Sequence, residues 1–456
     1  MDKVKIAVIG AGSLAWAATI VRDLCLTPTL YGSEVVFMDI DEDRLRAIYS
    51  LAKRYSSEVK ASFNFKRTTH RGEAARDADF VINMAMAKGH QYYERMRVLS
   101  ERHGYYRGIN SVEWNMVSDY HTIWGYYQFK LAMEVAKDVE ELSNDAWLLQ
   151  LANPVFELTT LISRESRVKV LGLCHGHLGY KSMVEVLGLD EGDVEVESIG
   201  FNHVIWMTKF RYRGEDAYPL LDEWIGREAR RYWTRWRKEQ NDPFDIQMSP
   251  AAVDMYKRYG LFPIGDTVRG GTWRYHWNLE VKRRWFGPTG GPDSEIGWEM
   301  YLRRNEERMR RIMEALTCRR SLTSLLPPKR SEESVIPIIN SIVNDEPRIY
   351  QVNLLNRGAI DGLPDDVAVE VPVLVDARGV HRRERRKLPD RIVNLVMRPR
   401  LMRMEWALEA FLEGGRDMLL EWLMYDLRTR SEKQAEGVVD ALLSLPGNEE
   451  MAKHFR

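Results

Sequence analysis

The start of the chain constrains its fold more than any other feature, because a short apolar run leads directly into closely spaced glycines. Residues 4–9 are apolar except for one lysine, and Gly10-Ala11-Gly12-Ser13-Leu14-Ala15 follows them. In this G-x-G-x-x-A pattern the first glycine makes a tight strand-to-helix turn, and the second lets a pyrophosphate approach the backbone. The pattern predicts that Gly10, Gly12 and Ser13 bind a dinucleotide. The alternative is a strand-to-helix turn that binds nothing.

An acidic residue ends the second apolar run. Residues 34–38 read Glu-Val-Val-Phe-Met, and Asp39 follows them. A carboxylate here accepts hydrogen bonds from the ribose and repels a 2'-phosphate, so it favours NAD over NADP, although Arg44 and Arg46 oppose that preference. Asp39 lies further along the chain than the usual spacing of about 20 residues, which indicates an extended first helix or loop. The sequence therefore predicts NAD, with Asp39 at the ribose.

The first 197 residues alternate short apolar runs with longer amphipathic stretches. The apolar runs are residues 4–9, 34–38, 80–84, 147–151 and 168–173. This alternation predicts successive βα units of an α/β fold, in the form of a Rossmann-like doubly wound parallel sheet. The rhythm stops near residue 198, and 456 residues exceed what one core normally holds. We therefore expect a dinucleotide-binding domain over 1–197 and a mixed α+β catalytic domain over 198–456.

The predicted elements of the second domain follow no βα order. Apolar spacing predicts helices near 222–238 and over 293–320, strands within 347–375, and a further helix on which Leu401, Met404, Leu408 and Phe411 share one face. The basic run at 382–387 lies between strand-like and proline-containing segments. It predicts a solvated loop rather than a binding patch.

Polar residues follow three of the predicted parallel strands. They are Asn83, Asn153 and Cys174. Because ligands of open α/β sheets bind beyond the carboxyl ends of the strands, these side chains are expected to meet at one edge. We predict Asn83 at the cofactor and Asn153 at the nicotinamide or a substrate hydroxyl. For Asn153, which precedes a proline, a simple turn residue is the alternative.

Two short pairs supply donors for a metal ion. Cys174-His175 follows the last predicted parallel strand, and Asn202-His203 comes about one structural unit later. A thiolate and an imidazole are good ligands for a borderline divalent cation, and two protein donors leave positions open for substrate oxygens. Cys174 and His203 are therefore predicted metal ligands. The alternatives are a small core cysteine and a hydrogen-bonded core histidine.

Composition argues against several classes of partner. The chain carries 66 Lys and Arg against 67 Asp and Glu, so its net charge of -1 gives no electrostatic reason to expect nucleic acid or an anionic membrane. No apolar run approaches the roughly 18 residues of a membrane span. Cys25, Cys174 and Cys318 are odd in number and far apart, which is typical of free thiols in a reducing compartment. We expect a cytoplasmic protein with a small-molecule substrate.

Longer motifs give the chain a family resemblance over nearly its whole length. In order, they are Gly10-Ala11-Gly12-Ser13, Asn115-Met116-Val117-Ser118-Asp119-Tyr120, Asn153-Pro154, Cys174-His175-Gly176-His177, Asn202-His203, Ser249-Pro250-Ala251-Ala252-Val253-Asp254-Met255-Tyr256, Pro263-Ile264-Gly265-Asp266-Thr267-Val268-Arg269, Asp293-Ser294-Glu295-Ile296-Gly297-Trp298 and Arg398-Pro399-Arg400. The chain resembles the family 4 glycoside hydrolases, most closely their α-glucosidase branch. The 6-phosphoglycosidase branches usually carry asparagine or aspartate after the cysteine, so His175 argues against a phosphorylated substrate.

The resemblance implies a fold, two cofactors and a reaction. The fold is a dinucleotide domain akin to lactate and malate dehydrogenases, and the cofactors are tightly bound NAD and a divalent metal, usually manganese. NAD removes hydride from sugar C3, a base takes the acidified C2 proton, the aglycone leaves with help from an acid, water adds and the hydride returns. This route departs from the usual pair of catalytic carboxylates. The resemblance also implies a homo-oligomer, a dimer or tetramer, that acts on a carbohydrate.

The resemblance also implies roles for individual residues. Cys174 and His203 carry over as metal ligands. Asp266 is the candidate base, with Tyr256 as the alternative, and His175 and Asp119 compete for the role of the acid, with His175 preferred because it titrates near neutrality. Asn153, Asn202 and Arg269 are the candidate substrate contacts, and an internal salt bridge is the alternative for Arg269.

Several activities fit this arrangement. The preferred one is hydrolysis of α-glucosides, and α-galactosides or α-linked uronides could be cleaved by the same chemistry. A malate- or lactate-type dehydrogenase is a second hypothesis, because dinucleotide folds host many reactions. A non-catalytic NAD-binding sensor, in which Cys174 reports the redox state, is the third.

Overall fold

The computed structural model describes residues 3–106, 121–143, 145–270, 273–318 and 321–456. Within these ranges it contains thirteen strands. They are β1 (Lys5–Ile9), β2 (Glu34–Met38), β3 (Asn64–Thr68), β4 (Phe80–Asn83), β5 (Trp147–Gln150), β6 (Lys169–Gly172), β7 (Val194–Phe201), β8 (Val204–Tyr212), β9 (Glu215–Asp216), β10 (Phe262–Ile264), β11 (Arg348–Leu355), β12 (Ala368–Asp376) and β13 (Gly379–Arg382).

Twenty α-helices accompany these strands in the same described ranges. They are α1 (Leu14–Cys25), α2 (Glu42–Glu58), α3 (Arg71–Ala75), α4 (His90–Arg102), α5 (His121–Leu142), α6 (Val155–Glu165), α7 (Tyr180–Val186), α8 (Tyr218–Arg227), α9 (Ala229–Glu239), α10 (Pro250–Tyr259), α11 (Thr267–Gly270), α12 (Trp273–His276), α13 (Leu279–Phe286), α14 (Glu295–Thr317), α15 (Val335–Asn344), α16 (Asp390–Ile392), α17 (Arg398–Glu413), α18 (Arg416–Met424), α19 (Glu432–Leu443) and α20 (Glu449–His454). A π-helical turn, Val393–Met397, leads into α17.

Six strands form the parallel sheet that the sequence predicts, in the order β3-β2-β1-β4-β5-β6. All five predicted runs contain strands, and most of their β-branched and large apolar side chains are buried because helices cover the sheet. The sequence analysis missed β3, whose residues Asn-Phe-Lys-Arg-Thr bury only the phenylalanine. An edge strand exposed to solvent lacks the apolar run that identifies a central one.

The sheet continues without interruption into the second half of the chain, through antiparallel strands in the order β6-β11-β12-β7-β8-β10. Strand β7 begins before and ends after the predicted boundary at residue 198. The structure also contains the helices that the sequence predicts for this half, as α8, α9, α14 and α17. The fold is therefore the expected α/β arrangement followed by a mixed α and β region.

Aromatic packing joins the two halves of the sheet. Phe156 on α6 stacks on Phe201 at the end of β7, with ring centroids 4.4 Å apart, and both side chains are fully buried. Burial of each ring contributes roughly 1.5–3 kcal/mol, and the stacking adds about 1 kcal/mol. None of the described helices is both long and apolar enough to cross a membrane.

The basic run at 382–387 is exposed but is not free of partners. Arg383 and Arg386 both contact Glu197 on β7, at 3.0 and 3.2 Å, and Arg385 pairs with Asp361. Exposed ion pairs of this kind add little stability. The prediction of a loop was wrong for Arg382, which ends β13, and the ion pairs of the other arginines compensate part of the charge of the run within the molecule.

Candidate active site

Two loops carrying predicted site residues lie against each other. One follows β6 and holds Cys174 and Gly176; the other follows β10 and holds Gly265 and Asp266. Gly265 has a φ of +59°, and a Cβ added there would lie 2.1 Å from the carbonyl oxygen of Gly176. Only glycine allows this approach, because any side chain would collide with backbone that cannot yield. The close contact brings Cys174 and Asp266 into the same site.

The Gln247 side chain fixes the second loop. Its Oε1 accepts a hydrogen bond from the Gly265 N–H at 2.7 Å, and its Nε2 donates to the Pro263 carbonyl at 2.7 Å. Gln247 is buried, so both bonds form away from water. Because both its oxygen and its nitrogen are hydrogen-bonded to this loop, the buried Gln247 amide holds the backbone next to Asp266 in place.

His203 enters the site from the turn between β7 and β8. Its φ of +63° belongs to this tight turn, and its Nε2 lies 3.4 Å from Asp266 Oδ2. Thr267 secures the turn, because its hydroxyl accepts from the Ile205 N–H at 2.7 Å and donates to the Ile205 carbonyl at 2.9 Å. The structure thus brings His203, Asp266 and Cys174 together from three separate segments.

The Cys174 thiol is in an environment that disfavours a free thiolate. Desolvation and the negative charges of Glu370 and Asp266 raise its pKa well above the ordinary value. The Gly176 N–H donates to Sγ at 3.4 Å. A cation at this position would reverse the balance, because a metal ion deprotonates a coordinating thiol. The donor chemistry therefore fits a metal ion. All three cysteines are free thiols, as predicted.

Asp266 belongs to a chain of buried charges. Arg269 donates to Asp266 Oδ1 at 2.7 Å and to both carboxylate oxygens of Asp293, at 2.9 and 2.5 Å. Desolvation alone would raise the pKa of Asp266, but the charges of Arg269 and His203 outweigh it and lower the pKa to about 2. These bonds form the internal salt bridge that the sequence analysis gave as the alternative to a substrate contact for Arg269, whose side chain is only 2% exposed.

His175 points toward the glycine-rich end of the sheet. Its ring stacks on Trp16 of α1 at a centroid distance of 5.4 Å, and its Nδ1 lies 3.2 Å from Glu333 Oε1. The hydrogen bond that His175 donates to the Glu333 carboxylate is the main cause that raises the pKa of His175, so the imidazolium persists to higher pH than usual. The rival acid, Asp119, lies outside the described residues. Tyr256, the rival base, donates its phenol proton to Asp222 at 2.9 Å.

The glycine-rich turn has the geometry of a dinucleotide site. Gly10 has a φ of +85°, and a Cβ there would lie 2.5 Å from the Ala85 backbone. The Gly12 N–H donates to Asp39 Oδ2 at 2.7 Å, so the acidic residue contacts the turn directly. Ser13 is the N-cap of the twelve-residue helix α1 and makes no side-chain capping bond, and the N-terminus of such a helix favours an anionic ligand.

The two predicted asparagines differ. Asn83 is fully buried, donates to Gln150 at 2.8 Å and accepts from the Ala85 N–H at 3.2 Å, so its side chain supports the sheet edge. Asn153 Oδ1 is buried and has no hydrogen-bond partner among the described residues. A buried orphan acceptor is costly unless a ligand satisfies it. Asn153 is thus the one of the pair that fits a bound cofactor or substrate.

The sequence analysis assigned no role to several residues of this site, among them Trp16, Glu333, Asp293 and Glu370. Glu370 is 1% exposed, and desolvation raises its pKa to about 7 although hydrogen bonds from Asn202 and Asn353 lower it. A signal was present, because a glutamate in the apolar strand Val-Glu-Val-Pro is unusual for a buried position. Across the described residues, no group of three or more His, Cys, Asp or Glu side chains is arranged to hold a metal ion.

Curated relatives align along almost the entire chain. An α-galactosidase of Bacillus subtilis is 25% identical over 95% of both chains, and an α-glucosidase of Erwinia rhapontici is 22% identical over 96% of this chain and 97% of its own. An α-galacturonidase of Thermoanaerobacterium saccharolyticum is 24% identical over 96% and 95%. The relatives agree on glycosidase chemistry and differ in the sugar.

Solved structures share the fold. A 6-phospho-α-glucosidase from gut microorganisms, in complex with NAD and Mn²⁺, superposes with a TM-score of 0.72 at 18% identity, covering 97% of this chain and 98% of that one. The 6-phospho-β-glucosidase of Thermotoga maritima, with manganese, NAD⁺ and glucose-6-phosphate, gives a TM-score of 0.69 at 20% identity, covering 99% of each.

The sequence profile of family 4 glycosyl hydrolases matches residues 5–189, and that of the family's C-terminal domain matches residues 198–429. The expected resemblance is therefore confirmed by profiles that cover both halves of the sheet. This chain belongs to family 4 of the glycosyl hydrolases.

Proposed function

We propose that the protein is an NAD- and manganese-dependent α-glycosidase that hydrolyses α-glucosides. The observation that carries the proposal is the contact between the loops of Gly176 and Gly265, which brings Cys174, His203 and Asp266 to one site. The thiol and the imidazole suit a divalent cation, and the carboxylate beside them suits a base acting on the same sugar. The solved relatives that contain NAD and manganese support the same cofactors here.

The proposed cofactors have defined places. Gly10, Gly12 and the N-terminus of α1 would hold the pyrophosphate, Asp39 the ribose, and Asn153 the nicotinamide or a sugar hydroxyl. Cys174 and His203 would hold the metal. When bound, NAD takes and returns a hydride at sugar C3, and the cation acts as a Lewis acid toward the sugar oxygens.

The chain itself supplies the proton transfers. Asp266 Oδ1 is held by Arg269, and Oδ2 lies beside His203, so the carboxylate has a fixed orientation from which to take the C2 proton. His175, whose pKa is raised by its hydrogen bond to Glu333, is the acid that delivers a proton to the departing aglycone oxygen. Asn202 lies beside both His203 and Cys174 and is a candidate contact for the substrate.

The surroundings of two arginines support a neutral sugar. Arg269 is bound by Asp266 and Asp293, and Arg274 donates to Asp254 at 3.0 Å. A uronate needs a cation whose charge is not already compensated by carboxylates. Arg269 and Arg274 are both engaged in this way, which favours glucosides. α-Galactosides are the second candidate, because the B. subtilis α-galactosidase aligns over 95% of the chain.

A panel of p-nitrophenyl α- and β-glycosides, uronides and 6-phosphates tests the proposal, assayed with NAD, Mn(II) and dithiothreitol. We expect turnover of the α-glucoside, loss of that turnover with EDTA and its recovery with Mn(II). Steady accumulation of NADH with a 2-hydroxy acid would instead establish a dehydrogenase. Binding of NAD without turnover of any glycoside would establish a sensor. Activity that EDTA leaves unchanged would reject the metal.

A further inference from the structure

The two predicted metal donors belong to strands that are not neighbours. Cys174 follows β6 and His203 follows β7, and the sheet order between them is β6-β11-β12-β7. The spacing of thiol and imidazole therefore depends on how two intervening strands connect the outer ones. Donors must be held to within about 0.5 Å for a metal site to be preorganised.

Each outer strand pairs with its neighbour at a single backbone position, and the Gln351 side chain on β11 adds a hydrogen bond to the Ser198 carbonyl on β7 at 2.9 Å. Strand β11 pairs with β6 only at Asn353 and Gly172, and β12 pairs with β7 only at Glu370 and Gly200. Asn353 and Glu370 are themselves partners in the β11–β12 ladder. Gly172, Asn353, Glu370 and Gly200 thus form one row across four strands. Gly172 lies two residues before Cys174, and Gly200 lies three residues before His203.

Side chains reinforce this row. Asn353 Nδ2 donates to the Gly172 carbonyl at 3.3 Å and to Glu370 Oε2 at 3.4 Å. Asn202 Nδ2 donates to the same Glu370 oxygen at 3.0 Å, and the Asn202 side chain lies close enough to Cys174 to lower the pKa of that thiol. The carboxylate of Glu370 is the acceptor common to both amides. The Glu370 side chain suits this position because its Oε2 can accept from both amides at once.

We propose that Glu370 is a positioning residue for the metal site: by accepting from Asn202 and Asn353 it fixes the distance between the segments that carry Cys174 and His203. The proposal rests on the proposed function only in that Cys174 and His203 bind a divalent cation. It requires no particular sugar. Partners that orient metal ligands typically change metal affinity 10- to 100-fold when they are lost.

Three variants separate positioning from charge. Glu370→Ala removes the shared acceptor, and we expect it to weaken Mn(II) binding by about 10- to 100-fold. Glu370→Gln keeps an amide oxygen that can accept from both asparagines, so its affinity should stay within about threefold of wild type. Asp376→Asn is the matched control: Asp376 is a buried acid on the same strand that contacts His381 and Arg378, away from the row. Its affinity should not change.

Mn(II) affinity is measured on the whole protein by titration followed by electron paramagnetic resonance, with thermal unfolding to confirm folding. The Co(II)-substituted proteins add a readout of geometry, because a displaced thiolate shifts the sulfur-to-cobalt absorption band, and we expect that shift for Glu370→Ala but not for Glu370→Gln. If Glu370→Ala fails to fold, Asn353→Ala replaces it, since that change breaks the row on the other side of Glu370.

The outcomes are distinct. A wild-type protein that binds no Mn(II) would reject the proposed function itself. A wild type that binds Mn(II), together with a folded Glu370→Ala or Asn353→Ala protein of unchanged affinity, would overturn only the positioning role. Equal losses for Glu370→Gln and Glu370→Ala would also overturn it, because the negative charge would then act directly on the metal.

Discussion

The glycine-rich turn and the cluster around Asp266 occupy the same sheet but are built in different ways. Gly10, Gly12 and Asp39 lie within a single βαβ unit, where the Gly10 N–H donates to the Met38 carbonyl and the Gly12 N–H donates to Asp39. The cluster instead collects Cys174, His203, Asp266 and Glu370 from four strands or loops and balances buried charges against each other. The first region depends on local chain geometry, whereas the second depends on the relative placement of distant segments.

Gly265→Ala is the variant with the largest expected effect. Gly265 has a φ of +59°, which is strained for alanine, and the new Cβ would collide with the Gly176 carbonyl. The two loops must therefore separate. A displacement of about 1 Å at catalytic groups costs on the order of 100-fold in rate. We therefore expect kcat/KM to fall by about 100-fold. The measurement is glycosidase turnover together with thermal unfolding.

Gly260→Ala provides the control for backbone strain. Gly260 ends α10 with a φ of +81°, and a Cβ there has open space around it. The strain alone costs about 1 kcal/mol of unfolding free energy and should leave kcat/KM within about twofold of wild type. If Gly260→Ala lost as much activity as Gly265→Ala, the contact between the loops of Gly176 and Gly265 would not be what organises the cluster around Asp266.

The second test uses pH. His276 is 1% exposed, and desolvation together with the charges of Lys282 and Arg269 lowers its pKa to about 3, against a weaker opposite effect of Asp293. Because the unfolded chain binds this proton near pH 6.5 and the folded chain does not, stability falls as pH decreases below 6.5. At pH 5 the loss reaches about 2 kcal/mol.

Replacing the imidazole should remove this dependence. Between pH 7 and pH 5 the wild-type protein should lose unfolding free energy because His276 stays neutral when folded. In His276→Phe this loss should be smaller by about 2 kcal/mol. Chemical denaturation at each pH measures it, and His70→Ala, at an exposed position, should behave as wild type. If the unfolding free energy of His276→Phe depended on pH as strongly as that of wild type, the buried charges around Arg269 would not control the pH dependence of stability.

These contrasts explain which features the sequence could predict. The parallel strands and the glycine turn follow from local patterns of apolar residues and glycines, and Cys174, His203 and Asp266 stand in motifs. The partners of these residues could not be predicted in the same way: Glu333 reaches His175 across more than 150 positions, and Glu370 reaches Asn202 across 168. Such pairings depend on strand order, which no local spacing encodes.

The third test concerns the local region. Asp39→Asn keeps an acceptor for the Gly12 N–H but removes the charge, so the turn should persist while ribose binding weakens. A hydrogen bond to a charged group contributes about 1.5 kcal/mol, which corresponds to roughly a tenfold higher Kd for NAD. Calorimetric titration with NAD and NADP measures it, and the preference for NAD should narrow.

Asp41→Asn is the control two residues away. Asp41 is the N-cap of α2, where its side chain accepts from the N–H groups of Asp43 and Arg44. Asparagine caps helices about as well as aspartate, so both stability and NAD affinity should stay close to wild type. A loss of NAD affinity equal to that of Asp39→Asn would mean that general negative charge, and not the contact at Gly12, favours the cofactor.

The smallest expected effect lies where the two regions touch. Trp16 belongs to the helix that follows the glycine turn, yet its ring stacks on His175, which is next to Cys174 of the cluster. Stacking of this kind contributes about 0.5–1.5 kcal/mol, so Trp16→Ala should lower kcat by about three- to tenfold through a less restrained His175. Trp16→Phe keeps an aromatic face and should recover most of that loss. If NAD affinity fell and kcat did not, Trp16 would belong functionally to the glycine-rich turn. The turn and the cluster around Asp266 would then be coupled only through the cofactor.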